Sequence, residues 1–210
     1  QGKVVRLFDH DNQGSSLQWV SRRGEDYNRI HGVDAARRHD HHMTRSWQLR
    51  VPLDTDIVVI DTPAGIDSLE LATMFQEDDY LIMPVLPSPI DIHAAAYFIK
   101  DMLLIGKLRK RQIQMAVVAN RVRKNTLMYH TLERFLFSLN IPFITSLRDT
   151  QFYTKAVEQG IGVLEIRHPS IKTDQEQWAP LLRWLDGPAH NKDEEADVTP
   201  LFSQQHGSQA

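Results

Sequence analysis

The chain has 210 residues, enough for one well-filled core or two small ones, and its 41% apolar and 24% charged residues are the proportions of an ordinary globular protein. It contains no cysteine, which excludes disulfides, thiolate metal sites and a cysteine nucleophile and fits a reducing cytoplasm. The formal charge of −3 sits in the C-terminal stretch, where Lys192 is outnumbered by Asp193, Glu194, Glu195 and Asp197, so the neutral remainder does not advertise nucleic-acid binding.

Apolar runs alternate with helical patterns along the chain, the signature of βαβ units. The first run, Lys3–Phe8, reads as a strand and delivers Asp9 and Asp11 where the chain turns. Ser15-Ser16 fits a helix start better than a nucleophile, and Trp19 and Trp47 read as packing residues. Residues 24–50 are polar and poorly periodic, which predicts short helices and loops. Within them His39-Asp40-His41-His42 reads as a solvated loop, with metal binding the alternative.

Residues 56–61, 80–85 and 113–119 are nearly continuous apolar runs, as strands covered on both faces should be, and Ile141–Ile144 is a weaker fifth strand. Asp67 with Glu70 forms a capping pattern for a helix to about Gln76, and Ser88-Pro89 opens a second helix. Further helices are expected over 127–139 and about 171–185. No apolar run approaches the roughly 20 residues that span a bilayer, so no membrane span is expected. The expected fold is therefore α/β, with a mostly parallel, doubly wound sheet carrying helices on both faces. One domain covers 1–186, and the acidic 187–210 is a disordered tail.

Two strand ends carry the chemistry. Asp61-Thr62-Pro63-Ala64-Gly65 follows four β-branched residues. A carboxylate there suits the water shell of Mg²⁺ and the turn suits a phosphate-sensing switch; the alternative is an ordinary Asp-Pro-Gly turn. Asp9-His10-Asp11 is the second acidic strand end, and ligands of open parallel sheets bind at the carboxyl ends of strands. Two basic clusters, Lys107–Arg111 and Arg121–Lys124, read as solvated edges, with nucleic-acid phosphates the alternative.

Taken in order, these segments resemble the ParA/MinD-type ATPases, the deviant-Walker branch of the P-loop enzymes. Val4–Trp19 resembles that family's second motif, and Asp56–Gly65 its Walker B and switch segment. Residues 81–91, 117–122 and 148–160 resemble three later segments, so the likeness spans roughly residues 3–185. It implies a partition or positioning ATPase that binds ATP and Mg²⁺, dimerises with ATP, hydrolyses it slowly and answers to a hydrolysis-stimulating partner protein. Its surface would be non-specific DNA in the cytoplasm.

Carried over by position, the likeness makes Asp11 the residue that activates water and Asp61 the holder of Mg²⁺. Asp9 would support the metal and phosphate region, Gly65 would serve as the switch, and Asn120 would recognise adenine. Two departures stand out. Asn12 replaces the family's usual proline, and no phosphate loop of the form G-x-x-x-x-G-K-[ST] occurs in the 210 residues. With Gln1 in place of Met, that leads to the expectation of roughly 20–40 further residues upstream, the size of a βα unit. The resemblance would place their strand beside the Asp61 strand. The competing readings are a catalytically inactive remnant acting as an interaction protein, and an ATP-dependent biosynthetic synthase of the same fold.

Overall fold

A computed structural model of the chain describes residues 3–36, 50–105, 112–139 and 141–187. Among them, strands β1 (Val5–Asp9), β2 (Ile30–Asp34) and β3 (Ile57–Asp61) form one parallel sheet in the order β2-β1-β3. Strands β4 (Tyr80–Val85), β5 (Gln114–Val122) and β6 (Phe143–Arg148) form a second in the order β4-β5-β6. Every strand pairing is parallel, as crossover connections require.

The helices begin where short polar side chains take up orphan amides. Asp67 accepts from the backbone N–H of Leu69 and Glu70 to start α2 (Ser68–Met74), which follows the short α1 (Ser15–Ser21). Ser88 accepts from Asp91 N–H to start α3 (Pro89–Leu104), with Pro89 in the first turn, where its missing N–H costs nothing. Thr126 caps α4 (Leu127–Ser138) and Thr150 caps α5 (Gln151–Gln159) in the same way. The last helix, α6 (Lys172–Asp186), follows two short 3₁₀ turns, Val163–Glu165 and Pro169–Ile171.

The core is built on β5. Val117 and Ala119 point to one face, where Ile92 and Ile99 of α3 and Leu132 and Leu136 of α4 cover them. Val118, pointing the other way, meets Leu181 and Trp178 of α6. Helices therefore lie on both faces of this sheet, the doubly wound arrangement the alternating pattern predicts.

Three expectations are corrected, on residues 24–50, on the cover of β3 and on the bounds of the fifth strand. Within 24–50, where only short helices and loops are expected, the chain forms β2, paired with β1 from Val5–Ile30 to Asp9–Asp34. Gly32 in this strand lies close under α1: a Cβ there would sit 2.7 Å from Leu17 Cδ2. Among the described residues β3 pairs only with β1 and β4 only with β5. Secondly, β3 is not covered on both faces: Ile57 to Ile60 remain between 39% and 44% exposed. A single-sided partner leaves both its edge and its faces open, so its composition reports a demand for cover that the described residues do not meet. The fifth strand also runs later than Ile141–Ile144, because Leu147 and Thr145 are the residues it buries under α6. His39–His42, Trp47, Lys107–Arg111 and residues 188–210 lie outside the described residues.

Candidate functional site

The register of the first sheet sets three carboxylates in a row. Asp34 and Asp61 are the register neighbours of Asp9 on either side, each closing its own strand. Asp9 is buried, at 1% exposure, and both its oxygens are used: Oδ1 accepts from Asp11 N–H at 3.0 Å and Oδ2 from Leu17 N–H at 3.1 Å. It therefore ties the loop after β1 to the first turn of α1. A buried carboxylate supplied with two amide donors is satisfied where a bare one would be costly.

That loop carries Asp11. Its Oδ1 accepts from Gln13 N–H at 2.9 Å and its carbonyl from Gly14 N–H at 3.0 Å, a tight turn completed by the left-handed Gly14 at φ 63°. Asp11 lines an open recess of about 210 Å³ together with Asn12, Gln13, Gly14, Leu17, Gln18 and Asp34. Asp61 is tied to the same region from the other side. Ser16 Oγ donates to Asp61 Oδ2 at 2.5 Å, and His10 N–H donates to the Asp61 carbonyl at 2.9 Å. Asp9, Asp11 and Asp61 thus gather around the start of α1.

Gly65 and Asn120 share no hydrogen bond with that group among the described residues. Gly65 sits in the turn after β3 at φ 73°, with open space where a Cβ would be, so its backbone can take positions closed to other residues. Asn120 lies in the second sheet near the end of β5, its Oδ1 accepting from Arg121 N–H at 3.0 Å. This leaves the side-chain NH₂ as a donor for another partner. Next to it, Arg121 (3.5 Å) and Arg123 (2.8 Å) both reach Asp149. The Arg123 hydrogen bonds hold that carboxyl below its usual range.

The residues present suit a hard cation with a water shell. Mg²⁺ keeps several waters and takes only one or two carboxylates, and Asp61 with its Ser16 partner offers oxygen donors of the right kind. Among the described residues no cluster of three or more His, Cys, Asp or Glu forms a dedicated metal cage. Sequence reasoning missed Asp34, because the strand that presents it was not foreseen. It also missed Ser16 as the partner of Asp61, for which the only signal is its position one turn beyond the Asp9 loop.

No family model matches the chain. It is 27% identical over 163 residues to the maintenance of carboxysome distribution protein A of Halothiobacillus neapolitanus, covering 77% of this chain and 74% of that protein. It is also 27% identical over 184 residues to the protein of the same description from Gloeobacter kilaueensis, covering 87% and 80%. Among solved structures it resembles a Borrelia burgdorferi protein described as a plasmid partition protein, bound to AMPPNP. The TM-score is 0.57 at 14% identity, over 87% of this chain and 88% of that one, a likeness of fold. No described helix is long and apolar enough to cross a membrane.

Proposed function

Starting from the likeness in motif order and fold to ParA/MinD-type ATPases, we propose that this chain is a nucleotide-dependent positioning ATPase. In this reading it binds ATP with Mg²⁺, dimerises across the nucleotide and distributes a large intracellular cargo over a DNA surface in the cytoplasm. The observation that carries the reading is the convergence of Asp9, Asp11 and Asp61 at the carboxyl ends of adjacent parallel strands. The names of the two relatives favour a protein assembly such as a carboxysome over a plasmid as cargo.

Each residue has a part. Asp61, oriented by the Ser16 hydroxyl, holds the hydrated Mg²⁺, which when bound neutralises charge on the phosphates. Asp11, on a turn anchored by Asp9, orients the attacking water and takes up its proton. Asp9 acts through that turn, since both its oxygens are consumed by backbone amides. Gly65 moves the backbone beside the terminal phosphate, and the Asn120 amide reads the adenine edge. The edge of β3 that is unpaired among the described residues gives a further strand a place to pair beside Asp61. A phosphate-binding loop on such a strand would reach this group.

The test is Asp11→Ala in the complete protein, read by phosphate release and by light scattering with ATP. Loss of a positioned base lowers turnover by at least about 100-fold, while the ATP-bound dimer persists and accumulates. Normal phosphate release by the variant would overturn the assignment of Asp11. Failure of the parent protein to bind ATP at all would favour the nucleotide-independent interaction protein.

A further inference from the structure

The end of β5 is shaped by residues the ATPase reading does not use. Between the register pairs Ala119–Ser146 and Val122–Arg148, two residues of β5, Asn120 and Arg121, stand opposite the single Leu147 of β6. Such a bulge re-aims a side chain where a strand meets a site. Arg121 accommodates it in the left-handed region, at φ 51°. A residue with a Cβ is strained there, and the conformation persists only where its surroundings dictate it.

Asp149 supplies those surroundings. Its backbone N–H donates to the Val122 carbonyl at 3.0 Å, which fixes it against the end of β5. Its Oδ2 accepts from Arg123 Nε at 3.1 Å and Nη2 at 2.8 Å, and its Oδ1 lies 3.5 Å from Arg121 Nε. One carboxylate thus holds the side chains on both sides of Val122. Both arginines are largely exposed, at 67% and 76%, and ion pairs so placed add little to stability. What they fix is conformation. Asn120 Oδ1 accepts from Arg121 N–H at 3.0 Å, so the direction of the Asn120 side chain follows the Arg121 backbone, and its NH₂ is left to donate elsewhere.

Resting on the adenine-reading role given to Asn120 above, we propose that Asp149 is a positioning residue for base recognition. By gripping Arg121 and Arg123 it holds the bulge in the form that ties down Asn120 Oδ1 and aims the NH₂ at a ring nitrogen of the purine. Asp149 touches no ligand in this arrangement and acts through Arg121. A hydrogen bond weakens steeply once its angle falls below about 120°. A bulge free to rotate therefore loses the base contact, while the phosphate end of the ligand is untouched.

The complete protein tests this through its affinity for non-hydrolysable analogues of ATP and UTP with Mg²⁺, measured by calorimetry. UTP carries the same triphosphate without the purine, so the ATP-to-UTP affinity ratio isolates the base. Asp149→Ala lowers the ratio roughly fivefold and Asn120→Ala about tenfold, the reach of one neutral hydrogen bond. The double variant matches Asn120→Ala within about twofold, because nothing is left to position. Arg121→Gly accepts the left-handed backbone without strain, so it keeps or raises the unfolding temperature yet lowers the same ratio. An unchanged ratio in Asp149→Ala or Arg121→Gly overturns the proposal and leaves the ATPase reading standing, as do additive losses in the double variant. A parent protein that binds both analogues equally overturns the reading of adenine by Asn120, and this role of Asp149 with it. A parent protein that binds neither overturns the ATPase reading as well.

Discussion

At the residue scale, a pair of left-handed glycines, Gly14 and Gly160, separates conformational cost from crowding. Gly14, at φ 63°, has nothing within 4 Å of a built Cβ, whereas at Gly160, at φ 67°, the same atom falls 2.4 Å from Arg22 C. Gly14→Ala should therefore cost only the left-handed penalty, about 1 kcal/mol. Gly160→Ala adds a clash with backbone that cannot rotate away, for a total of about 3 kcal/mol or more. Urea unfolding of the two variants checks the ordering, and equal losses would mean that α1 and α5 can part enough to admit the extra methyl. The same contrast bears on what the sequence discloses. Asp9 and Asp61 were legible because each closes a run of large apolar residues. Asp34 was not, since its strand, Ile30-His31-Gly32-Val33, has two large apolar residues and a glycine packed close to Leu17, a contact no local pattern announces.

At the element scale, the end of β6 is locked to α6 by a charged pair. Arg148 donates to both oxygens of the fully buried Asp174, at 3.0 and 2.6 Å, and these hydrogen bonds raise the guanidinium pKa above its ordinary value. Around the pair, the Gln177 side chain accepts from Arg148 N–H and the Gln177 carbonyl accepts from Thr145 Oγ1. Asp174→Ala strands the cation at the edge of the core, and thermal unfolding should report a loss of about 2–3 kcal/mol. A second charged contact sets a pH dependence. Glu165, in the turn after α5, is held below its ordinary 4.5 chiefly by the Arg23 hydrogen bonds, opposed by partial burial. A lowered folded pKa contributes stability that is present above pH 4.5 and fades as the pH falls through the depressed value. Glu165→Gln should flatten that part of the stability–pH curve, and an unchanged curve would reject the pair as its source.

Elements also show where sequence patterning misleads. The all-apolar Ile57–Ile60 was read as a strand buried on both faces, and it is a strand, but an open one. The pattern encodes what a strand needs around it, not which segment supplies it. Cap-driven helices transfer better, because Asp67, Ser88 and Thr126 each act within four residues of themselves.

At the scale of the whole molecule, no strand ladder joins the two sheets among the described residues, so the coupling described there runs through side chains. The tightest junction sets α1 against α5 and the turn after it. Trp19 Nε1 donates to the Ile161 carbonyl at 3.0 Å, Arg23 Nη1 to the Gly160 carbonyl at 3.2 Å, and Arg23 grips both Glu165 oxygens at 2.9 and 2.6 Å. The guanidinium also lies 5.7 Å from the Trp19 ring and 5.3 Å from the Tyr27 ring, so one buried cation fastens three elements. The first sheet and the loop after β1 carry Asp9, Asp11 and Asp61, while the second sheet carries Asn120 and the filled core around β5. Removing the fastener should therefore act unequally. Arg23→Ala leaves Glu165 without its partner, costs about 2–3 kcal/mol, and lowers amide-exchange protection in β1 and β3 well before β5. Local opening follows the weakest contiguous packing unit, and without the fastener that unit is the first sheet, whose β3 is already half-exposed. Uniform loss of protection across β1, β3 and β5 in the variant would show that the sheets are coupled elsewhere, and Tyr80 against Trp184, ring centroids 5.0 Å apart, is where that coupling would be sought.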